Sequence, residues 1–507
     1  MLAQGATSIV AAAVGMVLAG PAQAQQLRTL NDALALTYAT NPALLAARAQ
    51  LRVVDENVPQ ALAGWRPTVT FTANAGYIDG TSQQYIRPTA VTPGRTVESQ
   101  SLRGSNVQSL TVTQPLFRGG TTSATVNFRE NQVLAQRATL IGAEQTAFTN
   151  AVQAYVGVIQ SQQVLALSIN NEQVLARQLQ ATQERFRVGE ITRTDVAQSE
   201  SRLAQSEADL ANARAQLSVS RAAYAAVVGQ APGELAPMPA LPGVPADFDT
   251  ALDVALSDNP AILSAAYTQR AAEAQVAAAK AEYMPSASLT ASYGGGTSDL
   301  GQLGDIADQT RFQAGASLSV PLFTGGLNRS RVAQAVERAN VAQINLEGER
   351  RNILQAVSSA FAQSISSRAT LQAGEEAVRA ATVAAEGVRQ EAQVGLRTTL
   401  DVLNQELELR NAQINLASAR RNEYVAQASL LAAMGRLEGA DLDADLTAYD
   451  PAANYNRVRN RGGLPWDGVV EAIDRIASPA VMPANNAADA PIDSQLNSEI
   501  VGTAPRD

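Results

Sequence analysis

The stretch QPLFRGG at residues 114–120 returns almost unchanged as VPLFTGG at residues 320–326. Alignment of Pro115 with Pro321 sets an offset of 206 residues between the two phrases. The same offset superimposes further motifs: Val188-Gly189 on Val394-Gly395, Asp195 on Asp401, and Gly229 on Gly435. Because several short motifs recur in the same order at one offset, the chain contains an internal repeat.

A second offset extends the repeat toward the N-terminal end of each copy. An offset of 218 residues places Asn41-Pro42 on Asn259-Pro260 and Pro67 on Pro285. The offsets differ because the first copy has a longer loop between these motifs. The sequence therefore predicts a first structural repeat at 25–230, a proline-rich linker at 231–247 and a second repeat at 248–437.

Composition excludes most enzyme chemistry. The chain has no cysteine and no histidine, which removes thiolate and imidazole metal ligands and every catalytic triad with a histidine base. Its formal net charge is -9, whereas a protein that binds nucleic acid needs clustered Lys and Arg. We expect no catalytic residue, no metal site, no cofactor and no nucleic acid partner. A hydrolase that uses only carboxylates stays open, although Asp and Glu lie at helical surface spacing.

The two ends of the chain differ in composition from the repeats. Residues 1–24 combine an apolar stretch with Ala22-Gln23-Ala24, a pattern typical of a secretory signal peptide cleaved before Gln25. A buried N-terminal helix is the alternative. No run of 18 apolar residues follows, so we expect no transmembrane helix in the mature chain. Residues 481–507 are small, polar and acidic, and we expect them to be disordered.

Short segments that alternate apolar and polar residues predict strands. In TVTFTANAGY (68–77), Val, Phe, Ala and Tyr alternate with Thr and Asn. This length and pattern are typical of outer-membrane barrel strands, and a soluble sandwich edge would look similar. Four strands cannot close a barrel, so two chains would give eight strands and three would give twelve. The predicted strands are 68–77, 107–117, 286–293 and 312–322.

Long helices fill the rest of each repeat. No proline interrupts the sequence between Pro115 and Pro232 or between Pro321 and Pro451. Each stretch contains one break, and we predict helical hairpins at 121–229 and 327–435. A narrow heptad stripe, from Val196 to Tyr224 in the first copy, predicts side-by-side packing of helices into a wall with polar faces.

The doubled arrangement of an NP motif, a strand, PLF.GG, a long helix, VG and a TD or LDV motif resembles the TolC family of outer-membrane channels over roughly residues 28–437. The resemblance implies a mostly helical trimer with a small β part. Twelve strands would form a barrel in the bacterial outer membrane, continuous with a helical tunnel in the periplasm. Residues 438–480 would belong to an equatorial belt around the tunnel.

The resemblance also implies function and partners. The chain would be a passive, gated exit channel that works with a periplasmic adaptor and an inner-membrane ABC or proton-driven transporter. VGEITRTDVAQSE, VGLRTTLDVLNQE and YDPAANY are similar to members that serve type I protein secretion. Drug efflux is the alternative. A periplasmic coiled-coil adaptor is a remoter one, because it would lack the four strands.

Site residues follow from the same resemblance. Asp401 and Asn404 would line the pore constriction, one ring charged and one neutral. Arg397 would latch the inner hairpin to the outer one near Thr194 and Asp195. The helix turns that face the adaptor would be those at Val188, Gly189, Val394 and Gly395. A plainer interpretation also exists: Asp195 and Asp401 fit capping boxes with Thr192 and Thr398, and Arg397 fits an exposed arginine at a helix start.

Overall fold

The computed structural model describes residues 29–297, 310–439, 448–476 and 479. The predicted signal peptide at 1–24 and the predicted tail at 481–507 lie outside the described residues. The described chain is mostly helical with one four-stranded sheet, so the predicted fold class is confirmed. No helix of the described ranges combines the length and apolar character needed to cross a bilayer.

Each repeat has the same order of elements: short helices, a β-hairpin and a long helical hairpin. The first repeat contains α1 (Leu30–Thr40), α2 (Pro42–Asp55), α3 (Asn57–Leu62), a 3-10 turn (Ala63–Trp65), β1 (Thr68–Ile86), β2 (Arg95–Phe117), α4 (Thr121–Arg187) and α5 (Arg193–Val228). The second contains α6 (Phe248–Asp258), α7 (Pro260–Ala281), β3 (Ser286–Thr297), β4 (Thr310–Ser319), α8 (Leu327–Gln393) and α9 (Thr399–Ala433). Two short helices follow, α10 (Ala453–Val458) and α11 (Asp467–Arg475).

The sheet is antiparallel, in the order β1-β2-β3-β4, and its two faces differ in polarity. One row of partners reads Phe71, Leu110, Tyr293 and Phe312 across the four strands. The next row reads Thr72, Ser109, Gly294 and Arg311. Because directly paired residues point to the same side of a sheet, one face is apolar and the other polar. Phe71 and Phe312 are 64% and 69% exposed in the single chain, so the apolar face has no cover of its own.

The strand boundaries differ from the predicted ones. β1 continues to Ile86 and β2 begins at Arg95, well beyond the predicted 68–77 and 107–117, since Gly, Ser, Thr and Gln in this hairpin hide the alternation. The predicted end of the last strand at residue 322 is wrong, because β4 ends at Ser319. Pro321 follows soon after and has no N–H with which to continue a ladder.

The long helices are equal in length and begin in the same way. Both α4 and α8 have 67 residues, or about 100 Å at 1.5 Å per residue. Each starts after a glycine pair of the PLF.GG phrase, where Gly120 has φ 82° and Gly326 has φ 88°. These are left-handed values that favour glycine, which explains why both copies retain the GG pair.

The main core lies where α1 and α2 pack against α4. Tyr38 stacks on Phe148 with ring centroids 6.0 Å apart, and Tyr155 is fully buried. The Tyr155 hydroxyl donates to the Ala236 carbonyl at 2.8 Å, which fixes the proline-rich linker to the first repeat. Burial raises the pKa of Tyr155 to about 12, so it stays a donor at all physiological pH values.

Both small and large residues of the heptad stripe on α5 are buried. Leu210 and Tyr224 are buried, and so are Ser199, Ser206 and Ala213, which lie three residues after stripe positions. Small side chains let the two arms of the hairpin approach closely, and Ser161 and Ser220 form a hydrogen bond of 2.8 Å across them. The wall is therefore built by close side-by-side packing with little bulk inside it.

Residues 448–476 run along the first repeat toward the base of the sheet. Asn454 donates to the Asp55 carboxylate at 2.7 Å, and the Tyr449 N–H donates to the Tyr38 hydroxyl at 2.8 Å. Further along, Arg461 donates to Glu56 at 2.8 Å. α11 then lies at the start of β1 and the end of β2, as described below.

Candidate functional site

The two helix turns at the far ends of the long helices have the same backbone geometry. Gly189 has φ 80° and Gly395 has φ 82°. In the first turn the Glu190 N–H donates to the Arg185 carbonyl at 2.9 Å, and in the second the Leu396 N–H donates to the Glu391 carbonyl at 2.9 Å. This is a Schellman closure, which requires a left-handed residue after the helix end.

The turns present apolar side chains to solvent. Val188 is 78% exposed and Val394 is 72% exposed, with Leu396 beside it at 75%. Within the single chain nothing lies within 4 Å of a Cβ added at Gly189 or Gly395, so the left-handed backbone, and not close packing, requires glycine at these positions. The structure thus places the four predicted turn residues together in two exposed tips.

Asp195 and Asp401 both close a capping box at the start of the returning helix. The Thr192 N–H donates to Asp195 Oδ2 at 2.9 Å, and the Thr398 N–H donates to Asp401 Oδ2 at 3.0 Å. In each case the threonine hydroxyl donates to the same carboxylate oxygen.

These bonds stabilise the charged form of both carboxylates. The hydrogen bonds from Thr398 lower the pKa of Asp401 below its usual range, and those from Thr192 lower the pKa of Asp195. Both bonds from Thr398 to the Asp401 side chain reach Oδ2. The capping role therefore leaves Oδ1 of Asp401 available for a second role.

Arg397 has a partner that the sequence did not predict. Its Nε donates to Glu391 Oε2 at 2.7 Å, across the turn of its own hairpin, and this bond raises the pKa of Arg397. Asp401 adds a smaller electrostatic contribution. Thr194 is exposed on the neighbouring hairpin, and no hydrogen bond within the described chain joins Arg397 to Thr194 or Asp195. The latch therefore stays a prediction about contacts beyond one chain.

Asn404 contacts the first hairpin. Arg202 of α5 donates to Asn404 Oδ1 at 3.1 Å. The amide predicted for the pore constriction is thus held next to a guanidinium of the other hairpin. A positive charge at this level would further weaken any preference of the Asn404 position for cations.

A second bond between the hairpins has no signal in the sequence. Arg410 of α9 forms a salt bridge with Asp209 of α5 at 2.8 Å, and the side chains are 15% and 24% exposed. Gln205 donates to the other oxygen of Asp209 at 3.0 Å. Asp209 lies about 24 Å along α5 from its first residue at 1.5 Å per residue. No motif marks this pair, because its partners are 201 residues apart and meet only through the packing of α5 on α9.

Comparison with known proteins identifies the family of this chain. The sequence profile of the family described as Outer membrane efflux protein matches residues 33–230 and 251–436, one segment for each repeat. The chain belongs to this family. The sheet of this channel therefore lies in the outer membrane, and its long helices extend into the periplasm.

Relatives of this channel match over most of their length. The outer membrane efflux protein BepC of Brucella suis is 34% identical over 91% of this chain and 96% of its own. The outer membrane protein TolC of Escherichia coli is 26% identical over 87% and 89%, respectively. The alkaline protease secretion protein AprF of Pseudomonas aeruginosa is 29% identical over 67% and 71%. The solved structure of the outer membrane protein VceC of Vibrio cholerae shares the fold, with a TM-score of 0.65 at 24% identity over 80% of this chain and 96% of that one. The resemblance to the TolC family is thereby confirmed.

Polar bonds between the two hairpins are the feature that marks this end of the channel. Among the described residues no group of three or more Asp, Glu, His or Cys side chains could hold a metal ion. Two polar bonds join the hairpins behind the tips: Arg202 to Asn404 and, farther along α5, Arg410 to Asp209. Such bonds are directional and can be released.

Proposed function

We propose that this efflux-family channel is the outer-membrane exit duct of a type I protein secretion machine, with drug or small-molecule efflux as the alternative. One observation supports the assignment as a channel. A sheet with one apolar and one polar face leads directly into helices about 100 Å long. A conduit of this shape needs no catalytic group. It needs a closed wall, a gate and partners that supply energy.

The wall closes when three chains assemble. β1 and β4 are the two edges of the four-stranded sheet, and an open edge is not tolerated in lipid. A homotrimer gives twelve strands, within the range of outer-membrane barrels. The apolar face of the sheet, with Phe71 and Phe312, would then contact lipid, and the face with Thr72 would line the lumen.

The gate lies at the ends of α5 and α9. Three copies of Asp401 around the threefold axis would form an anionic ring, and mutual repulsion would oppose the lowering of the pKa that capping causes. Asn404 would form a neutral ring nearby. Arg397 would reach Thr194 or Asp195 of the adjacent hairpin when the gate is closed, in exchange for its bond to Glu391.

Partners dock at the helix tips. Val188 and Val394 are exposed apolar residues at two turns of the same geometry, and they suit an apolar contact with the tips of a periplasmic adaptor. The adaptor would link the channel to an inner-membrane ABC or proton-driven transporter.

The names of the relatives include both protein secretion and efflux. AprF is named for alkaline protease secretion, whereas BepC is named as an efflux protein. The motifs VGEITRTD and YDPAANY favour secretion.

Comparison of the native host with and without this gene tests the assignment, with extracellular proteins quantified and drug sensitivity measured on the same strains. Loss of one or a few secreted proteins without drug hypersensitivity is the expected result. An unchanged set of secreted proteins together with hypersensitivity would move the assignment to efflux.

A further inference from the structure

Helix α11 has an apolar ridge that the described part of the chain leaves uncovered. The ridge consists of the N-cap Trp466, the helix residues Val469 and Ile473, and the C-cap Ile476, which are 48%, 62%, 42% and 85% exposed. Their spacing of three and four residues puts them on one side of the helix. Val470 and Asp474, which point to the other side, are buried. In a helix that packs only on its own protein, the apolar side is buried and the charged side is exposed. In α11 most apolar side chains are exposed, and the charged Asp474 is buried.

The buried side of α11 is fixed firmly to the base of the sheet. Asp474 accepts the Trp65 indole N–H at 2.9 Å and the backbone N–H groups of Arg118 and Gly120 at 2.8 and 3.1 Å. At the start of the helix, Asp467 pairs with Arg66 at 3.0 Å. These contacts hold the helix to the segment before β1 and the turn after β2, so the ridge has a defined direction.

The position of α11 along the channel axis coincides with the membrane boundary. Trp65 and Arg66 come just before β1 begins at Thr68, and Arg118 comes just after β2 ends at Phe117. The apolar face of the sheet begins there, with Val69 paired to Val112. Because the strands cross the outer membrane and the long helices lie in the periplasm, α11 is level with the periplasmic edge of the lipid. Tryptophan favours this interfacial depth.

The charged side chains around α11 are compatible with a phospholipid surface. The two aspartates of the helix, Asp467 and Asp474, are turned inward and paired with the protein. Arg459, Arg461 and Arg475 have side chains that are 51%, 62% and 62% exposed, and each forms a salt bridge with one glutamate. Exposed guanidinium groups beside an apolar ridge match phosphodiester headgroups above acyl chains.

We propose that α11 is a membrane-surface helix that inserts the ridge of Trp466, Val469, Ile473 and Ile476 into the periplasmic leaflet of the outer membrane. The nearby arginines contact phospholipid headgroups. The helix attaches the helical tunnel to the lipid at the level where the barrel ends. This role depends on the outer-membrane location of the channel and is independent of which cargo it exports.

Tryptophan fluorescence tests this proposal directly, because the chain has only two tryptophans. Trp65 is 3% exposed and Trp466 is 48% exposed, so the difference between the unmodified channel and Trp466→Phe isolates the signal of Trp466. The full-length channel is reconstituted in phosphatidylethanolamine vesicles with phosphatidylglycerol, using lipids brominated at shallow or deep acyl positions. We expect the shallow bromines to quench the Trp466 component roughly twofold more than the deep ones, since interfacial helices lie about 5–10 Å into the headgroup and acyl boundary.

Other occupants of the ridge give different results, and each would overturn the proposal. Quenching by aqueous iodide but not by brominated lipid would mean that the ridge lies in water. Absence of both kinds of quenching would mean that a neighbouring subunit or residues 477–507 cover it. Val469→Ser with Ile473→Ser should lower the lipid quenching of Trp466. Val383→Ser, at a position on α8 that is 67% exposed, should leave it unchanged. Equal effects of both changes would also refute a specific lipid contact.

Discussion

The salt bridge between Asp209 and Arg410 makes a quantitative prediction about the resting gate. We expect Arg410→Ala to raise the conductance of the reconstituted channel and to admit large antibiotics through the outer membrane. The reason is that this bridge joins α5 of one hairpin to α9 of the other. Opening of the tunnel end requires hairpins to move apart, and loss of the bridge lowers the free energy of that movement.

The size of the effect follows from the exposure of the pair. Fully exposed pairs contribute about 0.2–1 kcal/mol, and breaking a buried pair costs about 3–5 kcal/mol. With side chains 15% and 24% exposed, the Arg410 bridge lies between these limits. After allowance for solvent screening we take about 1–2 kcal/mol per chain. If three bridges part together, the ratio of closed to open channels should fall by about 10²–10⁴ at tenfold per 1.4 kcal/mol.

Single-channel recording in planar bilayers measures this change, with vancomycin sensitivity of the host as a second readout. Arg420→Ala provides the matched control. Arg420 pairs with Glu375 at 3.7 Å, and the side chains are 46% and 50% exposed, so its loss should alter neither conductance nor sensitivity. The charge exchange of Asp209→Arg with Arg410→Asp should restore part of the closed state.

A normal trimer yield with unchanged conductance in Arg410→Ala would refute the reasoning. An equal rise in conductance for Arg410→Ala and Arg420→Ala would also refute it, because the effect would then reflect general loosening of the helices.

Three further predictions concern the turns and the base of the sheet. Asp401→Asn keeps an acceptor for the capping bonds but removes the ring charge, so the ratio of cation to anion permeability should fall toward one in reversal-potential measurements, whereas Asp195→Asn should leave it unchanged. Because capping depresses the folded pKa of both aspartates, the stability they add is complete above the unfolded pKa of about 3.9 and is lost as pH falls through the folded values. Hydrogen-exchange protection of the two turns should therefore stay constant between about pH 7 and pH 5 and fall below about pH 4. Asp474→Ala leaves the Trp65 indole and two backbone N–H groups without their acceptor, and the melting temperature of the trimer should drop in line with a loss of about 2–3 kcal/mol per chain.

Much of the fold was predictable because its decisive signals are local. The alternation in residues 68–77 and the glycine pairs after PLF are read over a few residues, and both recur in the second copy. The extent of β1 to Ile86 was not predictable, since Gly80, Thr81 and Ser82 carry no apolar alternation and pair only because β2 runs beside them.

In the candidate site, too, local features could be predicted from the sequence and tertiary contacts could not. The capping boxes at Asp195 and Asp401 follow from a T-x-x-D pattern within one helical turn, and the structure has both. The partner of Arg397 was not predictable, because Glu391 lies on the other side of a turn whose path depends on Gly395. The bridge of Asp209 to Arg410 depends on the tertiary register of two helices, for which one sequence holds no signal.

The hydrogen bonds that Asp474 accepts from Trp65, Arg118 and Gly120 have a consequence for the symmetry of the channel. They hold the turn after β2, whereas the matching turn of the second copy exposes Leu322 and Phe323 at 91% and 90%. Gene duplication alone would give a ring of six alike junctions between membrane and tunnel. In the proposed trimer every second junction carries the Asp474 contacts, whereas the junctions between them are held by other bonds, such as Arg331 to Glu282 at 2.7 Å. A mechanical load applied to the helix tips would then reach the lipid through two kinds of junction that alternate around the ring.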